Sequence, residues 1–147
     1  MKYRIKYLKE LRFEYSNHDN DNIDFDNIVL NTSFKEEFNL AENEISIFIH
    51  CIYGLKSGDS AKQILHSDII IGFEIDKLPK TKKNREKVLK EIFPNLLGIG
   101  ISSLRGIIYS RTKGEPINEF VLPIINPTQL IEDKIRDKAL QVTLDKK

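Results

Sequence analysis

The sequence predicts an α+β domain: a four-stranded antiparallel sheet arranged as a meander, then a long kinked helix, a proline-rich crossover and a C-terminal helix. Three observations carry this. The first half alternates apolar and polar residues at the strand period, whereas the second half runs at the helical period. Between Glu91 and Arg111 the only charge is Arg105, so the helix there is apolar on every side and must be covered on both sides. Phe120 to Ile125 is apolar but lies among Pro116, Pro123 and Pro127, which forbid a regular helix and fit a sheet poorly, so it must lie along a surface.

The strands follow in order. Tyr3, Ile5 and Tyr7 alternate with Arg4 and Lys6, and the run extends through Leu11 and Phe13. Asn17 to Asp24 is a polar turn or loop. Ile28, Leu30, Thr32, Phe34, Glu36 and Phe38 then form one mostly apolar strand face. Ala41 to Asn43 turns the chain into a strand over Glu44–Leu55, rich in isoleucine and aromatics. Ser57-Gly58-Asp59 is a hairpin signal, and Ala61 to Ile75 is the fourth strand, with Gly72 marking a bulge or a close approach.

The helical part spans about 84–145. The lysines at 80, 82 and 83 would oppose the dipole of a first turn, which places the start near Asn84. Pro94 predicts a kink or break, followed by helix to about Lys113, with Gly114 in a left-handed stop. Asn126-Pro127-Thr128-Gln129 is a restart: asparagine as cap, proline in the first turn, and Gln129 reaching back. Ile131, Ile135, Ala139 and Val142 then form one stripe on a helix of about 18 residues, with charge on its other face.

Length fits one domain spanning 1–147, with its sheet over about 2–76. Lys and Arg number 23 against 22 Asp and Glu, so no strong field points to nucleic acid. The basic run from Lys80 to Lys87 is read as a solvated helix start. One cysteine, Cys51, excludes an internal disulfide and fits a reducing compartment. The N-terminus lacks a signal-peptide core, and no apolar run approaches the length of a membrane span, so the expectation is a cytoplasmic protein without membrane insertion.

Enzyme signatures do not emerge. Gly98-Ile99-Gly100 follows helix instead of strand, and no phosphate-binding loop is present. A three-residue hairpin loop centred on Gly58 would set His50 opposite His66, two imidazoles that a metal needs but with no third ligand named; a plain cross-strand pair is preferred, and a two-residue loop would separate them. His50 points away from Cys51, which reads as a small core residue. Asp19, Asp21, Asp24 and Asp26 lack calcium-loop spacing. No enzyme activity, metal or cofactor is expected.

The glycines at 98, 100 and 106 each cost a helix about 0.8–1 kcal/mol, which close approach of another backbone would offset. Leu96, Leu97, Gly98, Ile101, Leu104, Arg105 and Ile108 are therefore candidate subunit contacts. Arg105 either finds hydrogen-bonded partners or extends to the helix edge. For the crossover, two readings stand. It merely seals the core, or it leaves an apolar trough suited to an extended polypeptide. Phe120, Val121, Leu122, Ile124 and Ile125 are its candidate binding residues, with Phe34, Phe38, Phe48 and Ile52 on the strands.

Nearly the whole chain resembles the SecB-like protein-export chaperones. The resemblance rests on the order of elements and on Phe93-Pro94, a helix carrying Ser102, then Gly114, Pro116, and Pro123 with Asn126; Leu8 to Asn17 is also similar to the family's first strand. The chain departs from the family pattern at Asn95-Leu96-Leu97, at Arg111 to Gly114 and in the stretched Pro123-Ile124-Ile125-Asn126. The resemblance implies a homotetramer built as a dimer of dimers, with central helices between two sheets. It further implies ATP-independent holding of non-native polypeptides or preproteins in hydrophobic grooves. Well-studied members are acidic and dock the SecA motor through their sheet surface, so the resemblance implies a role in protein export with SecA as a partner. This chain is nearly neutral, and divergent members serve other clients, so a dedicated partner of one client such as an antitoxin is the alternative.

Overall fold

A computed structural model describes residues 2–16, 23–120 and 122–145, with the backbone alone at 138–145. Four strands, β1 (Tyr3–Tyr15), β2 (Ile28–Asn39), β3 (Glu44–Ser57) and β4 (Ser60–Ile75), form one antiparallel sheet. Helices α1 (Lys82–Arg111) and α2 (Pro127–Asp145) follow. The fold class is the expected one, but the sheet is not a simple meander. Its order is β1-β4-β3-β2, so the first strand lies beside the last. The connection between β1 and β2 is too long for a hairpin and carries the chain from one edge to the other. The expected turn at Asn17 to Asp24 lies mostly outside the described residues. Of its acids, Asp24 caps a short helical turn by accepting from the Asp26 amide at 3.0 Å.

The β3–β4 hairpin turns at Gly58-Asp59, a two-residue loop with Gly58 at φ +61°. A bulge after Tyr53 then shifts the pairing, so that His50 faces Asp68 and Ile52 faces His66. Odd-numbered residues from Ile45 to Tyr53 and from Leu65 to Ile75 point to one face and are buried there. Burial of each isoleucine, leucine and phenylalanine among them contributes about 1.5–3 kcal/mol. The opposite face, with Phe48, His50, Ile52, Asp68 and Ile70, carries no helix among the described residues. On it the Tyr7 ring lies over Gly72, where a Cβ would stand 2.3 Å from Tyr7 Cε1. Gly72 is a close-approach site.

α1 covers the buried face. Its inward residues, Ile92, Phe93, Leu96, Leu97, Gly100, Ile101, Leu104 and Ile108, are buried. Three expectations change here. The helix begins two residues early, because the Thr81 hydroxyl accepts from the Asn84 amide at 3.4 Å and this cap outweighs the adverse lysines. Of the kink or break expected at Pro94, the break does not occur: helix continues through it, and the carbonyl that loses its partner belongs to Lys90, which is exposed to solvent. α1 is also long and apolar enough to cross a membrane by length and composition; its apolar residues lie on the sheet, as in a core helix.

α1 is not apolar all round in its packing, because its outer side presents Asn95, Ser102, Gly106, Tyr109 and Ser110 to solvent. After Arg111 the chain turns through Gly114 at φ +89° and enters the crossover. Asn126 caps α2, accepting from the Thr128 amide at 3.0 Å and the Gln129 amide at 3.3 Å. The Gln129 side chain reaches forward to Asp133 at 2.9 Å instead of back. Ile131 touches the core but Ile135 is 63% exposed, so the expected stripe on α2 is only half covered; the side chains of Ala139 and Val142 lie outside the described residues.

The helical glycines separate by environment. A Cβ on Gly100 would stand 2.6 Å from Ile49 Cδ1 and 3.3 Å from Ile71 Cγ2, whereas one on Gly106 meets nothing within 4 Å. Gly100→Ala should therefore destabilise by about 1–3 kcal/mol through overpacking. Gly106→Ala should stabilise by up to about 1 kcal/mol through helix propensity. Urea midpoints of the two variants check this; a stabilised Gly100→Ala would contradict the close contact between α1 and the sheet.

Candidate functional site

An open apolar trough lies between edge strand β2, the first half of α1 and the start of α2. One part is a cavity of about 340 Å³. Phe34 and Phe38 from β2, Leu89, Phe93 and Pro94 from α1, and Ile131 and Ile135 from α2 supply its apolar lining. Phe34 and Phe38 share a face because they are four apart on a strand. Phe34 stacks on Phe93 with ring centroids 5.6 Å apart, which fixes the floor. Glu36, Lys90, Glu132 and Lys134 give the rim both signs of charge.

Lys134 links the third wall to the strand. Its Nζ donates to the Phe34 carbonyl at 2.9 Å and to Glu36 Oε2 at 3.0 Å, and lies 4.2 Å from the centre of the Phe34 ring. Beyond Lys134 the depression continues past Thr32, Ser33, Leu130 and Asp137, adding about 510 Å³. From Thr32 to Phe38 the trough follows β2 for seven residues, roughly 20 Å of extended chain. β2 is an edge strand, and among the described residues its outer side pairs with no other strand; there the Phe34 carbonyl accepts from Lys134.

The structure distributes the other sequence candidates differently. Leu122 is 3% exposed and Ile125 packs against the core. Phe120 sits edge-on to Tyr53 at 5.3 Å and tilted on Phe25 at 6.0 Å. The cavity beside this part of the crossover is only about 10 Å³, so here the crossover seals the core. Ile124 faces outward, 92% exposed, and Val121 lies outside the described residues. Phe48 and Ile52 are half-buried on the helix-free face, away from the trough.

Among the subunit-contact candidates, Leu96, Leu97, Ile101, Leu104 and Ile108 are buried against the chain's own sheet. Gly98 is half-buried beside Pro127, with Pro127 Cγ 3.4 Å from a Cβ built on it. Arg105 finds hydrogen-bonded partners. Its Nε donates to the Leu122 carbonyl at 2.9 Å and its Nη2 to the Pro123 carbonyl at 3.0 Å, which holds the crossover to α1.

Sequence reading missed Leu89, Pro94, Ile131 and Ile135 as lining residues. In the sequence Pro94 reads as a helix breaker and as part of the Phe93-Pro94 motif, and Ile135 only as part of a core stripe. The signal available was that Ile131 and Ile135 continue an apolar stripe on a helix with no second sheet to cover it.

Little nucleophilic chemistry is available in the core. Burial pushes the Cys51 thiol up to about 11, with Asp68 adding to the shift and a hydrogen bond from Thr32 opposing it. The Tyr53 hydroxyl is pushed up by burial as well. The titratable cluster of His50, His66 and Asp68 is the group of described residues able to hold a metal, and it lies on the helix-free face.

No family model and no curated protein matches the chain. Among solved structures, the chain is similar to the Mycobacterium tuberculosis SecB-like chaperone Rv1957 in complex with a ChAD peptide from the HigA1 antitoxin Rv1956. The match has a TM-score of 0.58 at 12% identity, over 84% of this chain and 90% of that one. The likeness establishes a SecB-like fold.

Cys51 sets a pH dependence. The folded state holds its proton until about pH 11, whereas the unfolded chain releases it near the ordinary value of 9.0. The folded state therefore binds more protons in that window, and stability, intact below about pH 9, should decline toward pH 11. Urea midpoints of the wild type and Cys51→Ala across this range check it, with the decline shallower in the variant. An equal slope would remove Cys51 as its source.

Proposed function

We propose that the chain is an ATP-independent chaperone that holds non-native polypeptide segments in the trough along β2. The observation that carries this is a channel of two adjoining depressions, both lined by Phe34 and Lys134, along edge strand β2 from Thr32 to Phe38. Such a channel is long and narrow, which suits an extended chain better than a compact metabolite. Apolar burial supplies affinity with little sequence selectivity, and backbone pairing at the edge adds to it. The mixed rim charges tolerate clients of either sign. The SecB-like fold, seen in a neighbour bound to an antitoxin peptide, supports the same reading.

The scope of the clientele is a second question. General export would involve preproteins and docking to SecA. A dedicated partnership with one client, such as an antitoxin, is favoured by the helix-free sheet face. There Arg4 pairs with Glu74 at 2.6 Å, Lys6 with Glu42 and Glu44 at 2.8 and 2.9 Å, and Arg12 with Glu14 at 2.8 Å. This face carries balanced ion pairs and not the acidic field through which the family docks SecA. Affinity capture from the native host separates the readings: one abundant client supports the dedicated role, many support export.

In this proposal the chain acts in the cytoplasm as a homotetramer. Support for assembly comes from the bare outer side of α1 and from Ile5 and Leu8 of β1, large apolar residues exposed in the single chain. Ser102→Arg on that outer side should reduce the mass measured by light scattering without altering the circular dichroism spectrum. A wild-type monomer at micromolar concentration would remove the assembly from the proposal.

Ile135 tests the trough directly, because it is exposed and so replaceable without loss of core. Ile135→Asp should weaken retention of an unfolded client about tenfold or more, the equivalent of one buried isoleucine. Delay of refolding of a destabilised reporter protein measures this. Unchanged delay by Ile135→Asp, alongside loss by Ile124→Asp, would move the client site to the crossover.

A further inference from the structure

We propose that His50, His66 and Asp68 form a mononuclear site for a divalent transition metal, zinc being the best match, on the helix-free face of the sheet. The proposal stands independently of the trough, which lies on the opposite side of β3 and β4.

The backbone builds the triad from two central strands. His50 and Asp68 are directly opposed, and His66 lies two residues before Asp68, so all three side chains emerge on one face. His50 Nδ1 is 2.6 Å from Asp68 Oδ1, His66 Nε2 is 2.9 Å from the same oxygen, and the two ring nitrogens are 3.0 Å apart. Three donor atoms thus converge on a single point. The rings meet edge to face, with centroids 4.5 Å apart, so neither blocks the other.

With Asp68 ionised, hydrogen bonding alone leaves one unfavourable contact in this triangle. Each neutral imidazole nitrogen carries either a proton or a lone pair. If both carry protons and donate to Asp68, two N–H groups oppose each other at 3.0 Å. If only one does, the other nitrogen sets a lone pair against the carboxylate oxygen. A cation at the centre satisfies all three atoms together.

The donor set selects the metal. Two imidazole nitrogens and one carboxylate oxygen suit zinc and its neighbours, whereas magnesium and calcium favour oxygen. Tetrahedral zinc with bonds of about 2.0–2.1 Å spaces its ligand atoms about 3.3 Å apart. The triangle therefore opens by about 0.3–0.7 Å, most between His50 and Asp68. The His50 side chain, 28% exposed, has room to move, while those of His66 and Asp68, at 7% and 12%, are held. The exposed side leaves the fourth position for water or an added ligand. Arg12, the β1 neighbour of Asp68, places its charge on Glu14 at 2.8 Å, which limits its repulsion of a cation.

The untagged chain would be stripped with a chelator, dialysed against excess zinc and freed of unbound metal. Elemental analysis should then give about one zinc per chain, and cobalt in its place should give the intense visible bands of a tetrahedral ion. His50→Ala and Asp68→Asn should each lose this uptake while keeping the wild-type circular dichroism. Zinc should raise the urea midpoint of the wild type by mass action. Uptake below about one zinc in ten chains, undiminished uptake in both variants, or a wild-type midpoint indifferent to zinc would each overturn the proposal. The midpoint shift needs no variant, so a variant that fails to fold does not remove the test.

Discussion

The closeness of α1 to the sheet is the constraint on which the rest of the structure depends. A four-stranded sheet has one face of isoleucine and aromatic side chains to bury, and a single helix must cover it. Gly100 permits this, because its missing side chain leaves room for the ends of Ile49 and Ile71. With α1 seated there, the crossover has to run beside it as extended chain, and proline excludes regular pairing. Its backbone carbonyls then need partners. Arg105, directed away from the sheet interior, serves two of them. α2 arrives at the β2 edge, where Lys134 joins helix to strand. The trough is the space these three anchored elements do not fill. An apolar surface left open in this way is a consequence of covering a wide sheet with one helix.

The two faces of the sheet do different work. The covered face orders the core and, at its β2 margin, exposes apolar side chains in a line. The other face is mostly polar, with opposite charges on neighbouring strands and the His50–His66–Asp68 triangle near its centre. Strand alternation keeps the two apart, since adjacent residues of β3 face opposite ways. Cys51 and His50 illustrate the separation: one thiol sits in the dry interior with its proton held, and the neighbouring imidazole meets solvent.

Much of this architecture is legible in the sequence because strand and helix periods are long and unbroken. All four strands and both helices appear in the residue pattern, and Asn126 announces its cap. What the pattern does not contain is long-range pairing. Nothing local to Tyr3–Tyr15 says that it pairs with β4 instead of β2, because antiparallel alternation reads the same beside either neighbour. The β3–β4 register escaped for a related reason: the turn and the bulge after Tyr53 each move it by one residue, and only the turn leaves a sequence signal. Pro94 was legible as a proline but not as one whose lost hydrogen bond falls at an exposed turn. The site was legible only in part. Phe34 and Phe38 stand out as an apolar strand face, but the helical walls that make them a trough depend on where α2 lands.

The ion pairs on the helix-free face bear on encounter rates as well as on binding. Opposite charges a few ångströms apart cancel at a distance, and with a Debye length of about 8 Å at physiological salt little field extends beyond the surface. Partners therefore approach this face without electrostatic steering, by ordinary diffusion, at rates that change little with ionic strength. For any partner of this face, discrimination would then reside in how long it stays after arrival.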